Sequence, residues 1–91
     1  MPSRSITTTP TKLYARTEGY TVDFLVQNDP ELATSDPAYF LEDVTQGVSD
    51  GIKIVAQDYI AADDWEGDVC LVSSGTSDVR YIIQIKKKAA S

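Results

Sequence analysis

Residues 36–62 read DPAYFLEDVTQGVSDGIKIVAQDYIAA, and the fold turns on whether this stretch is helix or strand. Asp36 followed by Pro37 is a helix-start signal. The aspartate can accept from the first free amides, and a proline at the first helical position gives up no needed N–H. Glu42 and Asp43 suit the positive end of a helix dipole. Leu41, Val44, Val48, Ile52, Val55 and Tyr59 then recur at spacings of three and four, which makes one apolar stripe. The pattern predicts a helix running to about Ala62. Gly47 and Gly51 each weaken it by about 1 kcal/mol relative to alanine. They lie four apart, so they would clear one patch for close packing on a sheet. The rival reading breaks the helix at Ser49-Asp50-Gly51 and makes Ile52 to Tyr59 a strand.

The flanks on both sides read as strand. Tyr20 to Gln27 alternates, with Tyr20, Val22, Phe24 and Val26 on one face and Thr21, Asp23, Leu25 and Gln27 on the other. Period two with β-branched and aromatic residues marks a half-buried strand. Lys12 to Arg16 is a short strand before it, with a turn at Glu18-Gly19. Asn28-Asp29-Pro30 ends it, and a loop runs to Ser35. Beyond the central stretch, Asp63 to Gly67 reads as a polar connection. Asp68 to Ser73 is a strand, Ser74-Gly75-Thr76-Ser77 a hairpin turn, and Val79 to Lys86 the last strand. In that strand Val79, Tyr81, Ile83 and Ile85 share one face, and Arg80, Ile82, Gln84 and Lys86 the other.

The expected fold is therefore α+β, a small antiparallel sheet in the order β-β-α-β-β packed on one helix. Residues 1–11, rich in threonine and carrying Pro2 and Pro10, suit neither a helix nor a central strand. They are expected to form an extended N-terminal arm, held by a partner or by the chain's own fold. Residues 12–88 form the single domain and 89–91 a tail. Ninety-one residues support one core.

The charges are sorted by position. Residues 1–17 carry Arg4, Lys12 and Arg16 and no acid, residues 18–68 carry thirteen acids against Lys53, and residues 69–91 carry four bases against Asp78. The net charge of −6 thus divides into a middle of −12 between two ends of +3 each. Such a chain can pair its ends with its own middle or with a neighbour's. Its acidity disfavours binding to a phosphate backbone, so direct nucleic-acid contact is not expected. No run reaches the ~20 apolar residues of a membrane helix, and the N-terminus lacks the apolar core of a secretory signal. One cysteine permits no internal disulfide. A reducing setting fits, either a host cytoplasm or a particle assembled there.

Catalytic sets are sparse. There is no histidine, which removes Ser-His and Cys-His pairs and imidazole metal sites. Cys70, between Val69 and Leu71, reads as a buried structural thiol. Asp63, Asp64, Glu66 and Asp68 crowd together, yet the calcium-loop pattern fails: with Gly67 at the sixth position, the first and twelfth would be Ala62 and Ser73. No cofactor or metal is expected. Tyr20, Phe24 and Tyr81 lack the basic neighbours of a base-stacking sheet and read as core.

These features point to contact rather than bond-making. The favoured expectation is a non-enzymatic structural subunit of a homo-oligomeric assembly, such as a minor or decorating protein of a virus particle. Its partners would be other protein chains, either copies of itself or a larger assembly. The residues expected to carry contact are Ile6, Lys12, Arg16, Trp65, Lys86 and Lys87. The alternative is a small acidic inhibitor or binding module, phage-encoded and nucleic-acid-mimicking, that blocks a basic host protein. There Asp63, Asp64 and Glu66 would stand in for phosphates.

Overall fold

The structure is a computed structural model that describes residues 3–29, 31 and 35–88. Met1-Pro2, the strand stop at Pro30, loop residues 32–34 and the tail 89–91 lie outside the described residues. Eight strands follow in order: β1 Ser3–Ile6, β2 Thr11–Tyr14, β3 Tyr20–Asn28, β4 Ala38–Leu41, β5 Ile52–Ile54, β6 Tyr59–Trp65, β7 Val69–Ser73 and β8 Ser77–Lys87. They form two four-stranded antiparallel sheets, β1-β8-β3-β6 and β2-β7-β4-β5.

Four of the pairings share one logic: β1 with β8, β2 with β7, β3 with β6, β4 with β5. The chain is one long antiparallel ribbon, folded at the β4–β5 tip and then rolled up. Contacts of β8 with β3 and of β7 with β4 close the roll. An eight-stranded double sheet wound in this way has the topology of a jelly roll.

The expected α+β fold is therefore overturned. The stretch 36–62 supplies β4, β5 and the start of β6, and its only helical feature is a 3-10 turn at Val48–Asp50. Ala38-Tyr39-Phe40-Leu41 pairs with both β7 and β5. The apolar spacing that mimicked a helix has another cause. Leu41 ends β4, and the loop to β5 runs over the outer face of the second sheet. That face buries Leu41, Cys70 and Val72. Val44 and Val48 lie against this face beside Val72. At Gly51 a Cβ would sit 2.7 Å from Tyr39 Cβ, so this return needs glycine. The β-branched residues, aspartates and glycines of the stretch are poor helix formers, and sheet pairing overrides the stripe.

Two more expectations change. The Asp36-Pro37 signal starts no helix. Asp36 Oδ2 instead accepts the Thr76 amide at 2.9 Å, and the Pro37 carbonyl accepts the Ser74 amide at 3.1 Å. The turn after Ser73 joins no hairpin either, because β7 and β8 belong to different sheets. It is an arch between them. The extended arm is held by the chain's own fold: β1 pairs with β8 from Ser3↔Arg80 to Ile6↔Ser77. It is an edge strand, the place where a proline-flanked segment is tolerated.

The core lies between the sheets. Ile6, Val22, Phe24, Val26, Phe40, Ile54, Val69, Leu71 and Val79 fill it. Phe24 stacks on Phe40 at 5.4 Å, and Trp65 meets both rings edge-on at 6.1 and 5.6 Å. Asn28 is fully buried at one end. Its side-chain amide donates to the carbonyls of Asp36 and Ile54, both at 3.0 Å, and accepts from Ser35 Oγ at 2.8 Å. One side chain thus ties β3, the approach to β4 and β5 together. β3 and β8, at nine and eleven residues, outrun the opposing strands of three to five. Burial falls along the inner face of β8, from Val79 at 0% exposure to Ile85 at 59%.

Candidate interaction surface

A charged seam runs across the outer face of the first sheet near the start of β3. Thr21↔Lys86 and Asp23↔Gln84 are directly opposed across β3 and β8, which sets Lys86 diagonal to Asp23. A bulge in β6 opposite Val22 and Phe24 lifts Asp64 into a left-handed conformation, φ 55°. Its amide donates to Asp23 Oδ1 at 3.0 Å. Lys86 Nζ then sits 3.0 Å from Asp23 and 2.8 Å from Asp64. Lys88 reaches Glu66 at 2.6 Å. At the adjoining corner Asp68 accepts the Arg16 amide at 2.6 Å and pairs with Lys12 at 3.3 Å.

The titration shifts follow this wiring. The Asp64 amide, then Lys86, holds the Asp23 carboxyl below its ordinary value. Lys88 does the same for Glu66. The Arg16 amide, then Lys12, does so for Asp68. Hydrogen bonds to Asp64 and Asp23 push Lys86 up. Cys70 is raised to about 11 by burial and by the Asp68 charge, so its thiol stays protonated and unreactive at neutral pH.

Several of the residues expected to carry contact converge here. Asp64, Glu66, Lys86 and Lys87 line one shallow depression with Thr21 and Lys88. Arg16, Trp65 and Glu66 line a second with Glu42, Gly67 and Asp68. Lys12 joins them through Asp68. Asp63 and Lys87 are exposed. Trp65 is half-buried in the aromatic cluster, and its indole N–H donates to the Asp68 carbonyl at 3.0 Å. Ile6 stands apart. It is wholly buried in the chain's own core and presents nothing outward. Among the described residues no group of three or more acids, cysteines or histidines is placed to hold a metal ion. No helix is long and apolar enough to cross a membrane.

A cleft of about 400 Å³ opens between the sheets at β5 and β6. Phe24, Phe40 and Trp65 form its floor, and Glu42, Gln46 and Asp50 its rim. Gln46 Oε1 accepts the Glu42 amide, and Asp50 Oδ2 accepts the Gly47 amide. Two of its polar rim groups therefore already shape the loop.

The other conspicuous feature is apolar. Ile82, Leu25 and Ala61 stand in one row across β8, β3 and β6 on the outer face of the first sheet. Ile82 is 47% exposed, and Tyr59, one step along β6, is 59% exposed. β1 pairs with β8 only from Ser77 to Arg80. From Tyr81 to Lys87 no described strand lies on that side of β8.

Sequence reasoning missed Asp23, Asp68 and Lys88 as seam members. It also missed the exposure of Ile82, Ile85 and Tyr59. A signal existed for two of these. Asp23 was already on the polar face of its strand, and Ile82 was the one large apolar residue on the polar face of the last strand. Compared with known proteins, the chain matches no family model, no curated protein and no solved structure.

Proposed function

We propose that this chain is a non-enzymatic structural subunit that acts through protein–protein contact in a homo-oligomeric assembly. A minor or decorating place on a virus particle, or in the host cell where one is built, fits that role. The observation that carries the reading is the exposed apolar row and strand edge of the first sheet, set on a domain whose cavities are shallow. Large exposed apolar residues gathered on one face mark interaction sites in small soluble domains. The jelly roll itself does not choose, since this architecture occurs in capsid, lectin and cupin domains alike.

The acidic-inhibitor reading loses support. Of the three acids it names, Asp64 and Glu66 already carry internal cationic partners, while Asp63 is exposed. A phosphate mimic needs its carboxylates bare. Light scattering of the full chain from 5 to about 500 µM tests the proposal, the weak end of specific association. Species larger than one chain, growing with concentration, are expected. A single chain throughout would contradict it.

A further inference from the structure

We infer that the open half of β8 is an interface at which a second copy of this chain adds by antiparallel strand pairing, giving one continuous sheet through two molecules. The inference rests on the contact reading above and names its partner. Four observations carry it.

The first is backbone geometry. The Lys88 amide donates to the Gly19 carbonyl at 2.8 Å. In an antiparallel ladder the residues that bond one neighbour alternate with those that face away. Gln84 and Lys86 therefore bond β3, while Tyr81, Ile83, Ile85 and Lys87 turn their amides and carbonyls outward. Beyond Ser3↔Arg80 nothing described meets them.

The second is the direction of the lysines. Natural sheets guard open edges with charge, lysine above all. Here Lys86 leans across β3 to Asp23 and Asp64, and Lys88 reaches Glu66. Those acids lie on β3, on β6 and just beyond it, the side opposite the open edge. These two guards are drawn inward by the seam, Lys87 stays exposed at the end of the edge, and the edge before it reads Tyr-Ile-Ile-Gln-Ile.

The third is self-complementarity. A two-fold axis through Gln84, normal to the sheet, pairs Ile83 with Ile85 of the second copy, and Ile85 with its Ile83. Tyr81 meets Lys87, and Ile82 meets Lys86. From Tyr81 to Lys87 every outward-facing residue then finds an outward-facing opposite, and over that span no like charges stand directly opposed. Lys87 comes to lie by an aromatic ring, an arrangement cations favour. Paired to this length, the ladder ends at Tyr81 against Lys87, next to the Ser3↔Arg80 pair where β1 begins. This is the isologous contact expected of a two-fold dimer.

The fourth is continuity. The inner face at this end of β8 overhangs the second sheet, so Ile85 is 59% exposed. Ile83–Ile85 pairing across the axis covers it.

The test uses the full chain and three substitutions. Ile85→Pro removes an outward amide that bonds nothing among the described residues, and a proline is tolerated at such an edge position. Gln84→Cys places two thiols across the axis, where opposed Cα atoms of a non-hydrogen-bonded pair are about 4.5 Å apart, within disulfide reach. Asp63→Cys, exposed on the far edge strand, is the control. A two-chain species for the unmodified protein, one chain for Ile85→Pro with the melt unchanged, and oxidation of Gln84→Cys to a linked dimer at least tenfold faster than Asp63→Cys are expected. If the protein associates but Ile85→Pro does so equally and Gln84→Cys links no faster than the control, this interface is wrong and the contact reading stands. If the protein remains one chain and Gln84→Cys stays unlinked, both fall. Should Ile85→Pro fail to fold, the ratio of the two linking rates decides alone.

Discussion

From Ser77 to Arg80, β8 is paired on both sides, by β1 and by β3. Its inner residues there are sealed, and Asn28 opposite Val79 closes the end of the core. From Tyr81 to Lys87 the same strand is paired, among the described residues, by β3 alone. Its inner residues surface progressively, and its Lys86 is pulled across β3 to Asp23 and Asp64. The difference lies in the span that described β1 covers, Ser77 to Arg80, not in the composition of β8. Across both halves β8 keeps one alternation, apolar inside from Val79 to Ile85 and mixed outside. The closed half holds the fold together, and the open half is left with unmet backbone groups and apolar side chains.

The contrast can be broken at its closed half first. Asn28→Leu keeps the volume roughly but takes the Asn28 donor from the Ile54 carbonyl, one of two donors from the Asp36 carbonyl, which keeps Ser77 Oγ, and the acceptor of Ser35 Oγ. An orphaned buried carbonyl costs about 1–3 kcal/mol and each of the two further bonds lost about 0.5–1.5 kcal/mol, so urea unfolding is expected to show a loss of about 2–6 kcal/mol. A change below 1 kcal/mol would mean that this end is not sealed by Asn28. Ile6→Ala empties a fully buried site in β1, with an expected loss of about 2–5 kcal/mol. Loosening β1 also lengthens the open edge, so the variant should aggregate more readily than its stability alone would predict. Gly51→Ala brings a methyl into Tyr39 and Leu41. Overpacking of this kind costs about 1–3 kcal/mol, read as a lower melting temperature.

The seam gives smaller effects. In the folded state the carboxyls of Asp23, Glu66 and Asp68 are held below their ordinary values. A group so lowered binds fewer protons folded than unfolded, so its contribution is complete above the unfolded pKa of about 4. It is lost as pH falls through the folded value. Stability should therefore be flat from neutrality to about pH 5 and fall on further acidification. Lys86→Met should weaken that acid dependence and reduce the sensitivity to salt, because Asp23 keeps only the Asp64 amide. An unchanged acid profile in this variant would show that the lysine does not hold the seam.

The legible parts of the sequence were those whose signal is local. The alternation from Tyr20 to Gln27 and the last two strands gave β3, β7 and β8 to within a residue or two. The turn at Glu18-Gly19 is present, with Gly19 at φ +85°. The stretch 36–62 misled because its apolar residues serve two surfaces. Leu41 faces the outer side of the second sheet, Val44 and Val48 are in the covering loop, Ile52 is in β5 and Tyr59 in β6. Four separate environments happened to fall at helical spacing. The rival strand reading from Ile52 was nearer, though β5 ends at Ile54 and Gln57 turns the chain at φ 73°. The sorted charges correctly announced pairing between ends and middle, but not whether it stayed within one molecule. Lys86, Lys88 and Lys12 find their acids across the fold, a long-range outcome that no local pattern encodes. The rolled topology was hidden for the same reason. Pairings such as β1 with β8 join the two extremes of the chain.

If the outward half of β8 is completed by another copy, amide hydrogen exchange followed against protein concentration reads this residue by residue. The amides of Gln84 and Lys86, bonded to β3, should be protected at every concentration. Those of Tyr81, Ile83, Ile85 and Lys87 should exchange freely in dilute solution and become protected as concentration rises into the range where mass doubles. Fast exchange of these four at all concentrations, or protection already complete in the single chain, would contradict it.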